Sequence, residues 1–135
     1  MRGAAAGIVA AAAWAAAEPA LGRALGTPFS DIRLLGRLVT RSSAWPAAGL
    51  ALHLANGSAF GWAFERVGLR GVKHGLLAAQ AENILLWPGM LVVDRLHPYR
   101  RDGSWPRLAT NRRVVAHEIA THAIFGAVLG SLVRK

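Results

Sequence analysis

The sequence predicts an all-α fold: a transmembrane four-helix bundle of two duplicated helix-loop-helix hairpins, with an amphipathic interfacial helix in the first long loop. Three observations carry this expectation. Four apolar stretches of about 20 residues, each long enough to cross a hydrocarbon core of roughly 30 Å, are separated by basic connections. Hydrophobic residues make up 53% of the 135-residue chain and charged residues only 17%, and the mean hydropathy is positive. The segment "HLANGSAFGWAFER" (53–66) is echoed by "HAIFGAVLGSLVRK" (122–135).

The first stretch, "GAAAGIVAAAAWAAAEPALG" (3–22), is rich in alanine and weakly apolar. Met1-Arg2 ahead of it would also suit a secretory signal peptide, but the internal echo argues that this helix is retained. The second, "WPAAGLALHLANGSAFGWAF" (45–64), opens on Trp45-Pro46, and proline suits a first helical turn. The third, "GVKHGLLAAQAENILLWPGMLVV" (71–93), carries Gln80, Glu82, Asn83 and a Trp87-Pro88 pair. The fourth is "RVVAHEIATHAIFGAVLGSLV" (113–133). Trp14, Trp45, Trp62, Trp87 and Trp105 mostly fall near stretch ends, where indole rings favour the membrane interface.

In the connection 23–44, Ser30 is placed as an N-cap. Arg33, Arg37 and Arg41 follow on one helical face, with Ile32, Leu35 and Val39 towards the other, as a helix lying on a membrane surface requires. The connection 94–112, with "RLHPYRRDGSWPRLATNRR", reads as irregular. Both long connections are expected on one side, with the termini and the 65–70 link on the other. The formal charge is +9, and the 16 Lys and Arg residues cluster between the apolar stretches, where loops meet lipid headgroups. Their excess in the two long connections favours the cytoplasm for that side. The partner expected is the lipid bilayer, with a homo-oligomer or other membrane proteins, and not nucleic acid. The chain has no cysteine, which removes disulfides, thiolate metal sites and cysteine nucleophiles.

His53, Gly57, Gly61 and Arg66 recur 69 positions later as His122, Gly126, Gly130 and Lys135, as Pro19 does as Pro88; Gly3 and Gly7 recur 68 later as Gly71 and Gly75. The single membrane domain 1–135 therefore reads as pseudo-repeats 1–66 and 70–135. With two crossings each, the copies share one orientation, related by an axis along the membrane normal. Small residues at four-residue spacing let helix backbones approach, so Gly57, Gly61, Gly126 and Gly130 are assigned to helix packing, each imidazole bonding across a helix interface.

A second meaning for the same histidines starts from cost. A titratable side chain in mid-span is expensive and tends to face the bundle interior or a cavity. At about 1.5 Å per residue, His53, Glu82 and His122 lie roughly 12–17 Å from the loop-side ends, in one layer, with Gln80 and Asn83 near. Glu18, His117 and Glu118 form a shallower set towards the long loops. A His/Glu layer of this kind suits a divalent metal, a proton relay, or a haem held by two axial histidines.

"HEIATH" (117–122) looks like the zinc-protease signature H-E-x-x-H, but its histidines are five residues apart. On a helix that turns them about 140° from one another rather than about 40°, and one zinc ion with bonds of about 2.1 Å cannot take both. A metallopeptidase is therefore rejected. Glu18, a lone glutamate in the first of four short spans, is similar to the coupling carboxylate of small multidrug transporters. Its long following connection and alanine surroundings depart from that pattern, and Glu18-Pro19 also marks the interfacial end of a helix.

The Gly/Ala-rich first helix, "LGTPFSDIRLLGRLV", "H…FGWAFERV" and "HAIFGAVLGSL" together resemble a group of small, uncharacterised four-span bacterial inner-membrane proteins, over nearly the full length. The resemblance implies a multi-pass protein of the bacterial inner membrane and carries no catalytic residues with it. The Ala, Arg and Gly content suggests a high-GC bacterium. The expectation is a non-enzymatic scaffold, accessory subunit or oligomeric membrane component without cofactor. The alternative is a transport or cofactor protein using the His53/Glu82/His122 layer. A soluble helical bundle is the remaining architectural alternative.

Overall fold

The computed structural model describes residues 1–134 and holds seven helices with no strand among them. They are α1 (Gly3–Leu25), α2 (Asp31–Val39), α3 (Trp45–Arg66), α4 (Gly71–Leu86), α5 (Gly89–Leu96), α6 (Pro98–Arg101) and α7 (Arg112–Leu132). The helix ends follow from the sequence. Gly26 closes α1 in the left-handed region at φ 63°, its N–H and that of Thr27 turning back to Arg23 and Gly22 carbonyls. Ser30 accepts the Arg33 N–H and starts α2, as expected, and Asn111 does the same for α7 with the N–H groups of Arg113 and Val114. Pro88, which has no N–H to donate and crowds the carbonyl one turn back, breaks the third apolar stretch. What reads as one segment over 71–93 is the pair α4 and α5, bent by 51°.

α1 lies against α3 and α7, α4 against α7, and α2 against α3. At three of these contacts glycine meets backbone. A Cβ at Gly7 would collide with the Gly57 carbonyl, and one at Gly3 with that of Gly61. A Cβ at Gly75 would collide with the Gly126 carbonyl, and one at Gly130 with that of Gly71. The third contact joins α2 to α3, where Gly36 faces the Trp45 carbonyl and Gly49 that of Ile32. Gly36 is turned to α3, and Leu34, about 200° round the helix, enters the core of the long connections; both are buried, while Val39 is 60% exposed. Arg41 lies beyond the helix end. Arg33 and Arg37 share a face, over the rings of Trp45 and Tyr99, and Ile32 and Leu35 are partly buried, while Val39 of the expected apolar face turns outward.

The chain ends and the 67–70 link meet at one end of the fold. The Met1 amino group donates to the Leu132 carbonyl at 3.2 Å, and the Gly71 N–H to that of Val133 at 3.1 Å. Lys135, the counterpart of Arg66 in the repeat, lies outside the described residues.

At the other end the two long connections form a core of their own around Phe29, Leu34, Trp105, Leu108 and Val114. The 94–112 connection is ordered by its polar groups. Asp94 accepts the N–H groups of Leu108 and Ala109 and pairs with Arg100 at 2.9 Å, and the Trp105 indole donates to the Pro28 carbonyl. His97, fully buried, stacks on Trp105 at 4.7 Å, donates Nε2–H to the Leu34 carbonyl and accepts the Tyr99 N–H at Nδ1. Two tryptophans thus depart from the interfacial expectation: Trp105 in this core, and Trp14, buried at the centre of the long-helix core.

α1 and α7 are each long and apolar enough to cross a membrane, and the bent pair of α4 and α5 is so if taken as one span. α3 is as long but is not among the helices of that apolarity.

Two outcomes are expected from these contacts. Gly7→Ala or Gly126→Ala should cost about 1–3 kcal/mol by overpacking against backbone, read as a lowered thermal midpoint in detergent. Gly89→Ala, with nothing near its Cβ position, should leave the midpoint unchanged. Burial holds the His97 imidazole below its usual 6.5. The unfolded chain takes up that proton near pH 6.5 and the folded chain only at lower pH. The His97 contribution is then complete above about pH 6.5 and lost as pH falls towards the lowered folded value. The thermal midpoint should fall on acidification below 6.5, and less steeply in His97→Asn.

Candidate functional site

The glycine contacts decide where the polar side chains go. On α3 the residues Gly49, His53, Gly57 and Gly61 share one face, so the contact with α1 draws His53 inside, and its Nε2 meets the Ala11 carbonyl of α1 at 3.1 Å. His122 precedes Gly126 by one turn on α7 and is likewise buried, with Nδ1 on its own helix at the Glu118 carbonyl, 2.7 Å away. Its Nε2 faces the Glu82 carboxylate of α4 at 3.8 Å. One imidazole thus bonds across a helix interface as expected, and the other bonds within its own helix and faces a carboxylate across the interface.

His53, Glu82 and His122 line one cavity of about 360 Å³, together with Trp14, Asn83, Glu118 and Asp31. The Trp14 indole stands between the two imidazoles, its ring centroid 5.0 Å from that of His53 and 4.5 Å from that of His122. A macrocycle ligated by both would need the volume that this ring fills. Gln80 and Asn83 act as ties: Gln80 donates to the Ile119 carbonyl at 2.8 Å, and Asn83 to Gln80.

One turn towards the long connections lies a denser set. Asp31, His117 and Glu118 place one donor atom each within 4.8 Å of one another, the one such grouping of three or more among the described residues. His53, Glu82 and His122 share a cavity without gathering in this way. Glu118 sits between the two histidines of HEIATH: one carboxylate oxygen is 3.4 Å from His117 Nδ1 and the other 4.0 Å from His122 Nδ1. The two rings look in different directions, His117 onto Phe29 and His122 onto Trp14. The Thr121 hydroxyl bonds the His117 and Glu118 carbonyls within the same turn.

Glu18 of α1 faces this set, with His117, Asp31 and Glu118 as its ionisable neighbours and the Ser30 hydroxyl and the Asp31 and Ile32 N–H groups nearby. None of these donors reaches its buried oxygens in hydrogen-bonding geometry. Burial, with Glu118 and Glu18 beside it, holds the Asp31 carboxyl well above the usual carboxylate range. No Lys or Arg nitrogen lies within 4.0 Å of the Glu18, Asp31, Glu82 or Glu118 carboxylates among the described residues.

Sequence reading placed Glu18, His117 and Glu118 together but missed Asp31. At the first position of α2, next to its Ser30 cap, an aspartate reads simply as a favourable partner of the helix dipole. Its approach to α7 depends on how two connections fold together, which no spacing along the chain announces. Trp14 was missed for the opposite reason, since an indole in an alanine helix looks like a lipid anchor.

Fold and site together define an all-helical chain, two of whose helices are long and apolar enough to cross a membrane, with histidines and carboxylates gathered in its interior. Comparison with protein-family models, curated proteins and solved structures gives no match.

Proposed function

We propose that the chain is a polytopic membrane protein crossing four times in two duplicated hairpins, and that its polar interior binds or relays a small cation. Several features support four crossings. From Leu77 to Val92 the outward positions of the third stretch are apolar, among them Leu77, Ile84, Leu85 and Leu91. α3 is not among the helices apolar enough to span by composition, yet it keeps Leu50, Leu52 and Trp62 outward and His53 inside. The glycine meetings of α1 with α3 recur between α4 and α7 with the same partners of the repeat, Gly3 and Gly7 standing as Gly71 and Gly75. The resemblance to small four-span bacterial inner-membrane proteins points to that membrane.

The observation that carries the functional half is the shared cavity. Glu82 of α4, Glu118 and His122 of α7, His53 of α3 and Asp31 of α2 all line it, and among the described residues no Lys or Arg forms an ion pair with any of these carboxylates. A charged side chain at the centre of a spanning helix costs about 3 kcal/mol. Glu82, in the mid-span layer, bears about that cost, and Glu18 and Glu118, nearer the loop-side end, each add less. A scaffold gains nothing from that cost, whereas a protein that holds or passes on a cation requires it. The role is transport or cation-holding, with no catalytic step. One contact favours the scaffold reading instead: His53 is already bonded to the Ala11 carbonyl, as a purely packed histidine would be.

Two measurements test this. Because the chain has no cysteine, single cysteines report topology cleanly. In sealed vesicles an impermeant maleimide should reach Val67→Cys and Ser104→Cys from opposite sides and fail to reach Leu85→Cys. Equal labelling of Leu85→Cys without detergent would indicate a water-soluble bundle. In proteoliposomes loaded with a pH-sensitive dye, the protein should speed dissipation of an imposed proton gradient, and Glu82→Gln or His122→Asn should slow it. Dissipation no faster than in empty vesicles, with the variants losing only thermal stability, would leave the scaffold reading standing.

A further inference from the structure

We propose that Asp31, His117 and Glu118, with Glu18, form a binding site for one divalent first-row transition cation at the loop-side end of the bundle. The proposal deepens the cation-binding reading above, while its test is independent of proton movement.

The gathered donor set comes from two helices, and Glu18 of a third faces it without belonging to the group within 4.8 Å. Asp31 opens α2, His117 and Glu118 are neighbours on α7, and Glu18 stands at the last turns of α1. Donor atoms in a closed site with bonds of about 2.1 Å lie roughly 3.4 Å apart. The three gathered atoms are within 4.8 Å of one another, so side-chain rotations of about 1 Å bring them onto one ion.

Buried polar atoms without partners point to what is held there. Both carboxylate oxygens of Glu18, one oxygen of Asp31 and Nε2 of His117 are buried and make no hydrogen bond. Glu18 is 4% exposed and His117 fully buried. Buried polar groups are satisfied in the great majority of folded proteins, and buried charges are paired or bound to metal. Here the ion pairs among the described residues offer these carboxylates histidine alone. A doubly charged cation supplies the missing counter-charge and takes up the free carboxylate lone pairs.

Donor chemistry narrows the ion. One imidazole with carboxylates and no thiolate suits Zn²⁺, Mn²⁺ or Fe²⁺, while the imidazole disfavours Ca²⁺ and Mg²⁺, which take oxygen ligands. The HEIATH helix thus contributes one histidine and its glutamate as ligands, with His122 beside the outer oxygen of Glu118 at 4.0 Å. Access exists from two directions. Asp31 and Glu118 line the central cavity, and Glu18 lines a second one of about 570 Å³ between α1, the 26–30 turn, α2 and the start of α3.

The test uses the full chain in detergent, stripped with chelator and reloaded with Zn²⁺, followed by gel filtration and elemental analysis, with Co²⁺ titrated in parallel as the visible-absorbance probe. About one Zn²⁺ should be retained per chain. Asp31→Asn and His117→Gln should each weaken Co²⁺ binding at least about tenfold, and Asp102→Asn, an exposed carboxylate of the same end, should not. Absence of retained Zn²⁺ in the wild-type chain, or unchanged Co²⁺ affinity in both cluster variants, overturns the site. Should the variants fail to fold, X-ray absorption of the Zn²⁺-loaded wild type decides. One imidazole with oxygen donors supports the site, and two or more imidazoles overturn it. Proton flux without metal retention removes this site and leaves the broader reading, and metal retention without flux keeps the site and narrows the broader reading to cation holding.

Discussion

Direct contact between helix backbones at glycine is the constraint on which the rest of this structure depends. Where Gly7 meets Gly57 and Gly75 meets Gly126, no side chain fits between the helices. Residues one turn along the same faces are therefore carried into the interior whatever their polarity. That is how His53 and His122 come to be buried. It is also why Trp14, one turn beyond the alanines that follow Gly7, ends between the two imidazoles. Close approach supplies dispersion and, in lipid, replaces the hydrophobic driving force that water would provide between helices.

The polar interior follows from the same geometry but is completed by the connections. Phe29 packs on His117, Trp105 bonds the Pro28 carbonyl and the Arg113 guanidinium bonds that of Gly26. These contacts fasten the turn between α1 and α2 onto the start of α7. The first residue of α2 is thereby presented to Glu118, and a carboxylate outside the long helices joins two inside them. The irregular 94–112 segment serves as a clamp, with His97, Asp94 and Trp105 as its fixed points.

Electrostatically the molecule is divided. Arg33 and Arg37 lie over the rings of Trp45 and Tyr99, and among the described residues the interior carboxylates pair with histidine and with no Lys or Arg. A chain with 16 basic residues does not lack cations to neutralise those carboxylates.

What the sequence by itself determined is local. Helix content, the Ser30 cap, the long-helix boundaries to within a few residues, the glycine stripes and the shallower set of Glu18, His117 and Glu118 are all set by spacing, caps and apolar runs. So was the incompatibility of His117 and His122 with one metal ion, since 100° per residue needs no tertiary information. The break at Pro88 is local too, though the apolar run hides it. Tertiary structure alone decided the rotation of α2 about Gly36, the place of Trp14 and the arrival of Asp31 beside Glu118. Each of these depends on which surfaces meet across long sequence separations. Periodicity tells which residues share a face of one helix, and it carries no record of what that face will touch.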